Sequence, residues 1–145
     1  MSDAGEHPAI LISNRQAVPL DEPGLIELAR ATLRGEDLER SELSLSFVEE
    51  GEMAELHERF MGEPGPTDVL SFPLDGGDED GVRILGDVVI APTVAAANNP
   101  AHPAEELRLL LVHGILHLLG YDHEEDDERA RMWARQERYS GVTLP

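Results

Sequence analysis

The sequence predicts one α+β domain spanning residues 1–145, in which one small mixed sheet of about four strands packs against about five helices. Short apolar or alternating runs, typical of strands, are mixed with helical periods in the earlier part of the chain, and two long helical periods close it. Neither an internal repeat nor a long linker divides the chain. Hydrophobic residues make up 41% of it, enough for a single core.

The first predicted elements are a strand and a capped helix. Residues 9–13 form a short apolar run. Asp21 is a suitable helix cap, Pro23 fits the first helical turn, and Gly35 fits the end of the helix. Apolar residues between these signals recur with a helical period, which predicts a helix with one buried face.

The middle of the chain predicts two strands around a second helix. Leucine and phenylalanine alternate with small or polar residues over 43–47, which predicts a half-buried strand. A helix is predicted over 52–61, and a short strand over 69–72 is ended by Pro73.

The last part predicts a strand followed by three helices. An acidic, glycine-rich loop over 75–81 precedes a strand over 82–90. Pro92 begins a short helix, and longer helices are predicted over 104–119 and 126–139.

Composition narrows the classes of function. The net charge is −19, and all 11 basic residues are arginine. Such acidity opposes nonspecific binding to nucleic acid, and DNA is not expected as a partner. This acidity fits either a proteome-wide bias such as salt adaptation or an acidic docking face. Cysteine is absent, so a metal would be bound by histidine or carboxylate. The first ten residues do not resemble a signal peptide, and no apolar run is long enough for a membrane span, which predicts a cytoplasmic protein.

Three histidines lie within the sequence LVHGILHLLGYDH at 111–123. His113 and His117 are four residues apart, so they share one face of the predicted helix. Gly120 lets the helix stop and the chain turn back to deliver His123 as a third ligand. Three protein ligands leave a fourth position for water, the pattern of a catalytic zinc site. The sequence therefore predicts one Zn²⁺ per chain on these histidines.

The same spacing, His-x3-His-x2-Gly-x2-His, occurs in metzincin proteases, so the predicted element is a zincin-like His-helix. Those proteases carry a glutamate directly after the first histidine as general base. This chain has Gly114 there, which makes a metalloprotease the weaker alternative.

Three blocks together resemble the YbeY family. The run HGILHLLGYDH resembles its histidine motif, PTDVLSFP at 66–73 resembles a second block, and LGDVVI at 85–90 is similar to a third. The resemblance covers essentially the whole chain. It implies a single-strand-specific endoribonuclease that matures the 3′ end of small-subunit ribosomal RNA. It also implies one zinc on the three histidines, and ribosomal RNA and the small ribosomal subunit as partners.

Two further positions bear on catalysis. The YbeY family usually has an arginine where this chain has Met61, and Arg59 lies about 200° around the helix from it. A ribosome-assembly factor with little cleavage activity is therefore the main alternative function. Asp87 is the candidate catalytic residue, as a partner of a zinc-bound histidine or as a carboxylate that orients water or substrate. A purely structural carboxylate that binds a backbone amide is an equal alternative.

Overall fold

The computed structural model describes residues 7–74, 78–79, 81–122 and 124–142. Within these ranges the fold is α+β, as predicted, and combines a mixed sheet with five helices. The elements in chain order are β1 (Ala9–Arg15), α1 (Glu22–Gly35), β2 (Ser41–Val48), α2 (Glu50–Met61), β3 (Val69–Pro73), β4 (Asp78–Glu79), β5 (Val82–Ile90), α3 (Pro92–Asn98), α4 (Pro103–Leu118) and α5 (Asp126–Ser140).

The sheet has the strand order β1-β2-β5-β3. β1, β2 and β5 run parallel, which their helical connections allow, and β3 pairs antiparallel with β5. β4 pairs with the first residues of β5. It lies inside the segment predicted to be only a loop, so that prediction was wrong at 78–79. A two-residue strand is too short to leave a periodic pattern in the sequence.

The predicted start of α1 is confirmed in detail. The Asp21 carboxylate accepts a hydrogen bond of 3.1 Å from the backbone N–H of Gly24, and a proline lies in the first turn. Leu25, Leu28 and Leu33 form the buried face of the helix. α1 therefore connects β1 to β2 while it covers one side of the sheet.

The two faces of the sheet carry two apolar clusters. The larger cluster joins α1, α4 and α5 to β2 and β5, and includes Leu43, Val88 and Met132. The smaller cluster lies on the opposite face around Met53 of α2, together with Val89. The alternation of Val88 and Val89 between clusters follows from the two-residue period of a strand.

α4 is the central helix, with contacts to α1, α3, α5, β3 and β5. Because helices and sheet strands surround α4 on several sides, its sequence is apolar nearly all round. In the described part of the chain, no helix has the length and apolar content needed to cross a bilayer.

Candidate metal centre

His113 and His117 lie one helical turn apart on α4, and their side chains are only partly buried. Their ring centroids are 5.0 Å apart, with an angle of 74° between the ring planes. Because both imidazoles project from the same well-packed helix, their relative position is set before any ligand arrives. The pairing of these two residues that the spacing predicts is therefore present.

Gln136 of α5 orients His113. Its side-chain Oε1 lies 2.7 Å from Nδ1 of His113, and the residue is only 3% exposed. A carbonyl oxygen accepts hydrogen bonds, so this contact holds the proton on Nδ1 and puts the ring lone pair on Nε2. Metal-binding histidines in proteins usually have such a partner. The sequence did not identify Gln136 as a site residue. The one feature that indicates its burial is its spacing of four residues from Met132, which puts both residues on the same face of α5.

α4 ends just before the glycine that the sequence predicts as its stop signal. Gly120 has a φ of 101°, and its N–H donates to His117 O at 3.0 Å. The N–H of Tyr121 donates to Leu116 O at 3.0 Å, which completes a Schellman motif. His123 lies outside the described residues. In residues 7–74, 78–79, 81–122 and 124–142, no three histidine or carboxylate side chains converge as a metal-binding group.

Two depressions meet at His113. One, of about 270 Å³, also contains His117, and the other, of about 230 Å³, also contains Gln136 and Trp133. Asp68 and Val69 line both depressions. Together they form one cleft, which we call the histidine cleft. The remaining residues that line it are Met61, Leu70, Ser71, Leu109 and Leu110.

Gly114 brings α4 into close contact with the sheet. A β-carbon at this position would lie 2.7 Å from Cγ1 of Val88 and 3.1 Å from Cγ2 of Val69, closer than side chains pack. Its carbonyl oxygen also accepts a 2.8 Å hydrogen bond from Oγ of Ser71. The space that a protease general base would need after the first histidine is therefore filled by the sheet.

Met61 lies in the histidine cleft at the last residue of α2. The helix continues through Met61 and ends at Gly62, which has a φ of 70°. The side chain of Met61 is 48% exposed. The guanidinium of Arg59 lies 5.4 Å from the ring centroid of Phe60, and Arg59 is not among the residues that line the cleft. The structure thus puts position 61, and not position 59, beside the histidines.

One acidic side chain, Asp68, lines the histidine cleft and interacts electrostatically with a second, Glu106. Asp68 accepts hydrogen bonds from the N–H of Val69 at 2.8 Å and from Nδ2 of Asn98 at 3.2 Å. Burial, and then the charge of Asp68, raise the pKa of Glu106 on α4. The hydrogen bond from Val69 fits a turn-capping role for Asp68. Its position in both depressions was not predicted, because it depends on how β3 packs against α4.

Asp87 lies on the other side of the sheet. It is paired with Phe72 across β3 and β5, and Phe72 packs on the α2 face. The next residue, Val88, faces Gly114 of α4. Since successive residues of a strand point to opposite faces, the structure does not bring Asp87 together with the two histidines. This placement gives no support to a hydrogen bond with a zinc-bound histidine, and the catalytic role of Asp87 stays an untested prediction.

Comparisons with known proteins identify the family of the chain. The family model described as Endoribonuclease YbeY matches residues 11–141. The chain is 50% identical over 139 residues to Endoribonuclease YbeY of Acidothermus cellulolyticus, covering 86% of this chain and 85% of that one. It is 49% identical over 140 residues to Endoribonuclease YbeY of Thermobifida fusca, covering 88% and 89%.

A solved structure also resembles the fold. The solution structure of a Thermotoga maritima protein matches with a TM-score of 0.59 and 30% identity, covering 90% of this chain and 86% of that one. The match to the family model and the identity to its members extend over most of the chain. The chain therefore belongs to the YbeY family of endoribonucleases, the family that its histidine motif predicted.

Proposed function

We propose that this chain cleaves single-stranded RNA in the cytoplasm with one Zn²⁺ held by His113, His117 and His123. In this proposal its substrate is ribosomal RNA on the small ribosomal subunit, and the step is maturation of the RNA 3′ end. The observation that carries the zinc assignment is the pair of adjacent imidazoles in the histidine cleft, one of them held by Gln136. The RNA assignment comes from the family.

The donor set fits zinc. Neutral imidazole nitrogens suit this ion, and three of them leave one coordination position for substrate or water. His113 and His117 would bind it from α4, while Gln136 keeps the His113 ring in one orientation. When bound, zinc supplies Lewis acidity at the scissile phosphodiester.

The rest of the cleft would position the RNA. Asp68 presents a carboxyl group on one side of the cleft, where a phosphate is repelled. The phosphate backbone of the RNA is therefore expected to enter the cleft from the side of Met61, which is uncharged and half exposed. Asp68 is the carboxylate among the lining residues, and it is placed to orient water or accept a proton.

The main alternative is a ribosome-assembly factor that binds RNA and cleaves it weakly. Met61 favours this alternative, because it puts an uncharged side chain in the cleft where the family usually has arginine. A protease is disfavoured by the packing of Gly114. Zinc-loaded protein should be incubated with single-stranded RNA and with casein, beside His117→Ala. Cleavage of RNA alone, lost in the variant, is the expected result.

The metal assignment predicts about one zinc per purified chain. His113→Ala, His117→Ala and His123→Ala should each lose most of this metal, because two imidazoles bind zinc far more weakly than three. Elemental analysis after dialysis measures the ratio. Full zinc occupancy in two of the three variants would reject the site.

A further inference from the structure

A polar cluster beside the end of α4 connects three separate parts of the chain. Glu36, which caps α1, accepts hydrogen bonds of 2.5 Å from the hydroxyls of both Tyr121 and Tyr139. Nε of Arg135 lies 3.3 Å from the same carboxylate, whose side chain is only 10% exposed. We call these four residues the Glu36 cluster.

The cluster is built into the packing of the helices. A β-carbon on Gly35 would lie 2.4 Å from Cε1 of Tyr139, so the last residue of α1 must be small for the ring to reach Glu36. The guanidinium of Arg135 lies 5.2 Å from the ring centroid of Tyr121, in addition to its contact with Glu36. α1 and α5 therefore hold the side chain of Tyr121 from two directions.

Tyr121 is also held through its backbone. It is the residue after Gly120 in the Schellman motif, and its N–H is bound to α4. With its backbone tied to α4 and its hydroxyl tied to α1, Tyr121 has little freedom to move away from either helix. His123 follows it by two residues, a distance of at most about 7 Å along the chain.

We propose that Tyr121 is a positioning residue for the zinc site, and that its hydroxyl bond to Glu36 restrains the backbone two residues before His123. This inference rests on the proposed three-histidine site. Without the bond, the backbone at Tyr121 samples more conformations, and zinc binding must restrict them. The Glu36 cluster thus affects zinc affinity although none of its members binds the metal.

Tyr121→Phe and Tyr139→Phe form a matched pair of variants. Each removes one hydroxyl that donates to Glu36 over the same distance, but Tyr139 belongs to α5 and not to the turn. Both variants should lower the melting temperature of the zinc-free protein by similar amounts. We expect Tyr121→Phe to weaken zinc binding about tenfold, equal to about 1.4 kcal/mol, and Tyr139→Phe to weaken it less than about threefold.

Zinc affinity is measured by competition with a chromogenic chelator, in each variant with and without His123→Ala. If Tyr121 acts through His123, Tyr121→Phe has no further effect once His123 is removed. Equal affinities of the two tyrosine variants, or an undiminished effect of Tyr121→Phe in the absence of His123, would overturn the inference alone. Zinc affinity that does not depend on His123 at all would reject the three-histidine site, and the inference with it.

Discussion

Met61 and Gly114 show how single positions set the properties of the histidine cleft. Met61 puts an uncharged, half-exposed thioether beside the histidines. Gly114 removes a side chain where α4 meets Val88. One position is open to solvent and the other is packed, so substitutions at the two have different consequences.

We expect Met61→Arg to raise the rate of RNA cleavage at least about tenfold, or about 1.4 kcal/mol of barrier. A guanidinium in the cleft can bind a phosphate at two points and offset charge in the transition state. Arg59→Ala should change little, because Arg59 projects from another face of α2. Single-turnover cleavage at one salt concentration measures both effects.

A variant with the net charge of the wild type separates the effect of a positive charge inside the cleft from the effect of a changed net charge on the rate of encounter with RNA. Arg59→Ala combined with Met61→Arg moves one positive charge into the cleft without adding any. If the double variant does not cleave RNA faster than the wild type, the higher rate of Met61→Arg comes only from faster encounter. Loss of activity in Arg59→Ala alone would show that Arg59 is the working residue.

Gly114→Ala should destabilise the protein by about 1–3 kcal/mol, because the added methyl group must displace Val88 or Val69. Gly51→Ala is the matched control. Gly51 lies in α2 with open space around its β-carbon position, so alanine there should be neutral or slightly stabilising. Denaturant unfolding compares the two. Equal stabilities of both variants would show that α4 has room to move off the sheet.

At the scale of elements, the Glu36 cluster ties α1 to α5 and depends on the ionisation of Glu36. Burial alone would raise the pKa of Glu36, but hydrogen bonds from Tyr121 and Tyr139 and the charge of Arg135 outweigh it and lower this pKa. Burial and the bond to Glu36 raise the pKa of Tyr139 to about 12. The cluster is therefore most stable with Glu36 ionised and both tyrosines protonated.

The lowered pKa of Glu36 predicts a dependence of stability on pH. The ionised carboxylate stabilises the fold above its ordinary pKa of 4.5, and this contribution is lost as the pH falls through the lower pKa of the folded state. At pH 7, Glu36→Gln should cost about 1–3 kcal/mol in the free energy of unfolding. This difference from wild type should shrink as the pH falls below 4.5 and through the lower pKa of folded Glu36.

Glu39→Gln is the control for this experiment. Glu39 pairs with Arg34 through a side chain that is 63% exposed, so its loss should matter little at any pH. Urea unfolding at a series of pH values gives both differences. A constant cost of Glu36→Gln down to acid pH would show that shape, and not charge, makes the cluster stable.

The sequence predicted elements better than contacts between elements. α1 and α5 were located within a residue or two, because caps, prolines and apolar periods are local signals. The parallel pairing of β1 with β2 leaves no such signal. Gln136 and Asp68 were missed as site residues for the same reason, since the packing of α5 and β3 against α4 brings them into the cleft with His113.

At the scale of the whole molecule, the net charge of −19 opposes the approach of RNA. We expect kcat/KM on single-stranded RNA to rise between about 20 and about 150 mM salt, because screening weakens this repulsion. A dinucleotide with one phosphate should show a weaker dependence. A rate that falls with salt would indicate that a local positive surface governs binding, as in basic RNA-binding proteins.

The packing of α4 also limits how this protein can be redesigned. The histidines project from a helix that touches the sheet without room for a methyl group, so the floor of the cleft tolerates little change. Met61 and Trp133 are exposed large side chains that line the cleft from other helices. A library that varies these two positions should keep the fold and alter substrate choice. Variation at 114 should yield mostly unfolded protein, so selection for new specificity is expected to enrich changes at the rim.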